Sequence, residues 1–535
     1  MLERIKLNEV SYPFIYSFII VLIVFFLKRP DSILNAQFYA EDATIFFKDA
    51  VNGNFFTAIS TKYAGYYWTI HRIFAELFSN FNIVYQPLLY SIFAIIVNSS
   101  ILAFFATKYF RNILENDFKR ILISLFLSLM YLDSYEMVNV FINTKWYMTI
   151  FLFFFLIADE SIIKTKFKKI FFAGIVILIF WTQPQAFYLI PLFIIKCFMT
   201  KERLFYSVII LISIFHPIFI FISGDIPSSH LESGNLNYYG LLVGMTIKSN
   251  LYFIHTSLMN KFMSFFVVLS LIMYIIIYKI AKNVFSKFTL FSYFYIATSI
   301  IFTLVKKKEV TVALANGSLS ITPYYFLLIN TLTMLILLVI ILKYFNYNIR
   351  TKIYGVTFLF IFAFVDFKAF YVDKFEDKNW IQGSYNSLIC RKSIIKVNPT
   401  PWTVEYNNNE SDYSVFLKMI IKSNNVIIEN NSFDMHPFPD KNVDLSFYVP
   451  ECINQINLKL YIKKLPIFVE ESNINDIGSV KINLYKNKEF LYSKIVNTLK
   501  EEVLTIDSNG QYMITIDSNG PNTYDWFHID VLNIK

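Results

Sequence analysis

Long apolar runs recur along the first 370 residues, and they constrain the chain more than any other feature. A backbone inside hydrocarbon must satisfy its own N–H and C=O groups, so such runs read as helices. About 20 apolar residues cross a bilayer, and fewer suffice where neighbours shield the ends. Eleven runs stand out, near 12–27, 83–106, 121–133, 146–158, 169–181, 185–199, 204–222, 262–280, 288–305, 323–342 and 353–371. Lys28-Arg29-Pro30 follows the first run with no small-residue cleavage site, so it does not read as a cleavable leader. Composition agrees: 56% of the 535 residues are hydrophobic and 16% charged, against about 25% charged in soluble domains. A soluble enzyme, a disordered chain and a disulfide scaffold are all excluded.

Charge divides the chain. Up to Tyr371 basic residues exceed acidic ones by 13, and beyond it acidic residues exceed basic ones by 4. With the N-terminus inside, the short inside loops hold 19 Lys and Arg and the longer outside loops 12. This is the bias that orients membrane proteins, so the positive charge reflects topology and implies no nucleic-acid partner. The expected organisation is a multi-span domain over 1–371 with its first outside loop at 28–82, a connecting segment at 372–402, and a β-rich soluble domain at 403–535. An odd number of spans puts that last domain outside the cytoplasm.

The tail changes period. Residues alternate apolar and polar at 456–462 and 480–485, as half-buried strands do. Asp-Ser-Asn-Gly at 507–510 and 517–520 suits tight turns between successive strands. It also resembles part of a calcium loop, but the closing ligands are missing. The expected tail is a β-sandwich, either structural or sugar-binding. Cys390 and Cys452 could pair within it.

No G-x-S-x-G, P-loop, G-x-G-x-x-G or C-x-x-C occurs, and the six histidines never reach metal-ligand spacing of one another. The first outside loop carries the candidate chemistry. Glu41 and Asp42 precede an amphipathic stretch that contains Ile45, Phe46, Ala50 and Val51. At a bilayer interface, desolvation raises a carboxyl pKa toward that of a useful base. The plain alternative is a pair of acids at a helix N-terminus. His71 and Arg72 lie in the same loop, and Arg is either a snorkelling anchor or a fork for phosphate. Lys306, Lys307 and Lys308 stand on the side that topology makes poor in positive charge, as a tolerated exception or an anion site.

Several pieces resemble bacterial polytopic proteins related to the GT-C glycosyltransferases. They are Ala40-Glu41-Asp42, Tyr63-Ala64-Gly65-Tyr66 with Arg72, Asn143-Thr144-Lys145-Trp146, Thr182-Gln183-Pro184, Trp380, and Asn398-Pro399-Thr400-Pro401-Trp402. The resemblance is spread over about 10–402. An Arg-Tyr pair usual before the tenth span is replaced here by Ser320-Ile321-Thr322-Pro323-Tyr324-Tyr325, so its phosphate role would pass to Lys306, Lys307 and Lys308 or be lost. The expected architecture is an α-helical membrane protein of about 11 spans, GT-C-like by that resemblance, with an extracytoplasmic β-sandwich, in a bacterial cytoplasmic membrane. The resemblance implies a polyprenyl-phosphate-linked sugar donor and a glycan or lipid-linked acceptor. Asp42 and Glu41 would deprotonate the acceptor or position a divalent ion. Arg72, His71 and Lys306–Lys308 would hold the donor phosphate. The competing reading is a transporter or flippase of a lipid-linked glycan, and the third is a glycan polymerase of another fold.

Overall fold

The computed structural model describes residues 11–130, 138–222, 275, 278–305, 327–344, 370–390 and 392–407, and the strands between 426 and 534 with a few flanking residues. The chain divides into two compact units, Met1–Asp377 and Lys378–Lys535.

The α-helices described in the first unit include α1 (Pro13–Lys28), α2 (Asp31–Leu34), α3 (Lys48–Asn52), α4 (Phe55–Ser60), α5 (Thr69–Ser79), α6 (Gln86–Phe104), α7 (Asp117–Leu129), α8 (Thr144–Ile157), α9 (Lys166–Phe180), α10 (Ile190–Met199), α11 (Arg203–Ile222), α12 (Lys287–Val305) and α13 (Leu327–Tyr344). A π-helical turn, Asp42–Phe47, leads into α3. Proline at the start of α1 and α6 removes an N–H that would have had no helical partner. Asn54, Asn116 and Thr165 cap α4, α7 and α9 through their side-chain oxygens.

Helix α8 is the core. Every residue in it except Lys145 is buried. A helix apolar on all sides must be surrounded, and α6, α9, α10 and α13 pack around it. The Phe141 ring, just before α8, anchors an aromatic cluster with Phe46, His71, Phe78, Tyr90 and Phe93, at centroid distances of 4.4–6.4 Å.

The expected eleven-span fold with a C-terminal β-sandwich is corrected here. Among the described residues three helices are long and apolar enough to cross a membrane, Ile83–Phe104, Arg203–Ile220 and Leu327–Tyr344. A fourth crossing is counted only if the bent pair Lys166–Phe180 and Pro184–Met199 serves as one span. The other runs make shorter helices. The 14 residues of α8 rise only about 21 Å, short of a hydrocarbon core of about 30 Å. A hydrophobic run that is buried in protein looks the same in sequence as one buried in lipid. The runs at 262–280 and 353–371 lie almost wholly outside the described residues.

In the second unit, helix α14 (Trp380–Cys390) precedes strands that form three antiparallel sheets. β1 (Lys392–Lys396) pairs with β2 (Thr403–Asn407). The strands β3 (Val426–Glu429), β4 (Ser432–Met435), β5 (Val443–Val449), β6 (Ile456–Lys463), β7 (Ser479–Lys486), β8 (Glu489–Asn497), β9 (Glu502–Ile506), β10 (Gly510–Ser518) and β11 (Trp526–Ile534) form the rest. One sheet has the order β5-β10-β7-β8 and the other β3-β4-β11-β6-β9. Side chains alternate as a pleat requires. Leu458 and Leu460 of β6, Ile482 and Leu484 of β7, and Tyr512 and Ile514 of β10 are all buried. The repeated Asn-Gly steps and Cys452 lie at or beyond the edges of the described strands.

Candidate functional site

The acid pair opens the π-helical turn, and its two members meet different surroundings. Asp42 is buried. Its Oδ1 accepts the Ile142 N–H at 2.9 Å and its Oδ2 the Phe141 N–H at 3.2 Å. These are donors of the turn that enters α8, so Asp42 caps that entry from about 100 residues away in sequence. Burial pushes its carboxyl pKa well above the usual range and the charge of Glu41 adds to this, while the two N–H donors and Lys145 oppose it. Glu41 is only half-buried, and its Oε1 accepts the Tyr63 hydroxyl at 3.3 Å. The Tyr63 phenol is pushed up to about 12, by burial first and then by Glu41.

Tyr63 is held by a tight reversal. Tyr63 and Tyr66 exchange backbone hydrogen bonds at 2.9 and 3.0 Å, with Ala64 and Gly65 between them at φ 49° and 80°. Two positive φ angles make the hairpin turn that glycine eases and alanine resists. Trp68, also left-handed at φ 57°, starts α5, and its indole N–H donates to the Tyr63 carbonyl at 2.8 Å.

His71 braces the same entry. Its Nε2 lies 3.0 Å from both the Phe141 carbonyl and the Thr144 hydroxyl. A carbonyl only accepts, so Nε2 carries the ring proton and Nδ1 is bare. Nδ1 is buried and meets no partner among the described residues. Burial, then the nearby Lys145, lowers the imidazole pKa to about 3, so the ring is neutral at physiological pH.

Arg72 is buried as well. Its Nη1 donates to Asp49 Oδ2 and to the Ala58 carbonyl, each at 2.9 Å, and its Cζ sits 5.7 Å from the Phe46 ring centre. Its Nε and Nη2, the edge that suits a bidentate oxyanion, meet no partner among the described residues. Lys306, Lys307 and Lys308 lie outside the described residues.

The structure thus gathers Glu41, Asp42 and His71 about the entry of α8, with Arg72 against the Phe46 ring that stacks on His71 at 5.5 Å. It adds Lys145, to which sequence reasoning gave no role. The Lys145 ammonium lies 4.0 Å from the Trp68 ring and 5.0 Å from the Trp146 ring. It is close enough to act electrostatically on both Asp42 and His71. The available signal was a lone cation opening an apolar run, which is costly unless it is used.

Among the described residues, the acid pair does not present a ligand set for a divalent ion. Both Asp42 oxygens already accept N–H groups, and Glu41 Oε1 accepts the Tyr63 hydroxyl. Among the described residues no group of three His, Cys, Asp or Glu converges as a metal site. No known family's sequence model matches the chain, and no curated protein is significantly similar to it.

Proposed function

We propose that the protein is a membrane glycosyltransferase that moves a sugar from a polyprenyl-phosphate donor to a glycan or lipid-linked acceptor on the extracytoplasmic side. The observation that carries this reading is the half-buried Glu41 beside the Asp42-capped entry of α8, where Lys145 rests between two indoles. Glu41 takes the proton of the acceptor hydroxyl. The acceptor oxygen bonds to the anomeric carbon as the bond from that carbon to the phosphate oxygen breaks, and polyprenyl phosphate leaves with the electron pair. Lys145 stabilises the charge that grows on the leaving phosphate, and the buried, unpartnered Nε–Nη2 edge of Arg72 is a second donor for it. Asp42 is a positioning residue, because both its oxygens hold the α8 entry.

The test is transfer from a synthetic polyprenyl-phosphate sugar by protein in nanodiscs. Glu41→Gln should lower the rate by about 10²–10⁴, the worth of a general base, with the fold intact by thermal melting. Full activity in Glu41→Gln would remove the assignment. One observation favours a transporter of lipid-linked glycans instead. The helix pair Lys166–Phe180 and Pro184–Met199 is broken with a bend of 118°, and interrupted helices build transport sites. Movement of a lipid-linked glycan across a vesicle bilayer, without transfer, would decide for that reading.

A further inference from the structure

The break between α9 and α10 has a chemistry of its own. Pro184 has no N–H, so the Phe180 carbonyl four residues earlier cannot be answered within a helix. His216 of α11 answers it, with Nδ1 3.0 Å from that carbonyl. The next carbonyl, of Trp181, accepts the Thr69 hydroxyl at 3.1 Å, and the Thr182 hydroxyl accepts the Ile70 N–H at 2.9 Å. Since Phe180 O can only accept, the ring proton of neutral His216 sits on Nδ1, and Nε2 is a bare acceptor.

Two polar atoms are left over. His216 Nε2 and Gln183 Nε2 are buried and meet no partner among the described residues, and each residue is at most 1% exposed. One accepts and the other donates. Such atoms cost free energy when buried alone, and a buried polar group without a partner calls for an explanation. Aromatic rings surround the imidazole. Trp181 stacks on it at 5.2 Å and 12°, Phe187 meets it edge-on at 5.3 Å and Tyr67 lies at 5.6 Å. All three rings are only half-buried.

We propose that this break is a binding site for a neutral sugar, whose hydroxyls donate to His216 Nε2 and accept from Gln183 Nε2 while its C–H face lies against Tyr67, Trp181 and Phe187. A donor, an acceptor and aromatic walls suit an uncharged hydroxylated ring, and small-ligand sites are built this way. A phosphate would leave the bare imidazole nitrogen facing another acceptor. The 63–68 reversal links the two sites: Tyr63 reaches Glu41, and Tyr67 reaches Trp181 and His216. The sugar site does not rest on the transferase reading; only the identity of its occupant as the acceptor does.

The experiment is saturation-transfer NMR on methyl glycosides of glucose, galactose and N-acetylglucosamine, titrated into the full protein in nanodiscs, with methyl phosphate as the charged control. Saturable transfer to ring C–H protons of at least one glycoside is expected, and methyl phosphate should not compete. Gln183→Met and His216→Phe should each weaken binding by about tenfold or more, the worth of one hydrogen bond. Gln183→Met should melt no lower than the wild type, since the amide N–H it removes has no partner to lose. Should His216→Phe fail to fold, Gln183→Met alone decides. Absence of saturable glycoside binding, competition by methyl phosphate, or unchanged affinity in Gln183→Met overturns the proposal. A protein that binds the glycosides but transfers no sugar would sink the transferase reading and leave this site standing.

Discussion

Two buried histidines lie at two breaks in helical structure, and the regions around them differ in kind. At the entry of α8, His71 shares its surroundings with Asp42, Lys145 and Arg72, all of which carry or exchange charge. At the break between α9 and α10, the groups that meet the orphaned backbone are neutral: His216, Thr69 and Thr182. Both regions solve the problem of helix ends inside a protein, where unanswered N–H and C=O groups are costly. A carboxylate answers N–H groups at the start of α8, while hydroxyls and an imidazole N–H answer C=O groups at the end of α9. The polarity of the backbone end selects the chemistry of its partner, and that chemistry then fixes what each region can do. Charge at α8 suits a group-transfer step, and neutral donors and acceptors at the break suit binding.

The largest expected effect comes from removing the charged answer. Asp42→Ala leaves the Phe141 and Ile142 N–H groups buried without an acceptor. Each orphaned donor costs about 1–3 kcal/mol, so a loss of about 2–6 kcal/mol is expected, read by denaturant melting in detergent. Asp42→Asn keeps one acceptor oxygen and should lose less. An Asp42→Ala protein as stable as the wild type would show that Asp42 does not hold the entry of α8, and the contrast between the regions would collapse.

A second effect separates them by pH. The folded-state pKa of His71 is lowered to about 3 from a usual 6.5, so between these values the unfolded chain binds the extra proton. Stability contributed by the neutral ring is therefore present above the usual His range and falls as the solution is acidified, by about 1.4 kcal/mol per pH unit. Asp42 runs the other way. Its pKa is raised, so its contribution is full below the usual Asp range and is lost as pH rises through its folded value. His71→Gln should flatten the acid limb of a stability–pH curve. Lys145→Met should move the His71 titration upward, because the Lys145 charge helps to keep the ring neutral. An unchanged acid limb in His71→Gln would mean that the ring is not held neutral by its site.

Much of this was legible in the chain, and the part that was not has a physical reason. Apolar runs showed where most of the long described helices form, and alternation at 456–462 and 480–485 showed two of the strands. The number of membrane crossings was not legible, because α8 is apolar on every side for want of solvent, with protein around it. Glu41 and Asp42 stood out as adjacent acids, yet their division of labour depends on which one meets the 141–142 N–H groups, and no local pattern encodes a contact across about 100 residues. Lys145 was visible inside the quoted tetrapeptide, but its place between Trp68 and Trp146 joins two distant segments. Pro184 announced a break, while His216 as the partner of Phe180 had no sequence signal beyond a polar residue in an apolar helix.

The smallest effect tests the neutral region. Thr182 is buried, and its hydroxyl both accepts the Ile70 N–H at 2.9 Å and donates to the Leu178 carbonyl at 2.7 Å. Valine matches its shape and keeps its β-branching, so Thr182→Val removes two hydrogen bonds with little change in packing. The Ile70 N–H and the Leu178 carbonyl each lose this partner. A loss of about 1–2 kcal/mol is expected by melting, below that of Asp42→Ala because one neutral donor is orphaned in place of two. The proposed transfer activity should survive, since the α8 entry is untouched, while affinity for a neutral glycoside should fall as the Tyr67 side of the break loosens. If Thr182→Val abolishes transfer and leaves glycoside binding intact, the break belongs to the chemistry of Glu41, and the separation of charged and neutral regions fails.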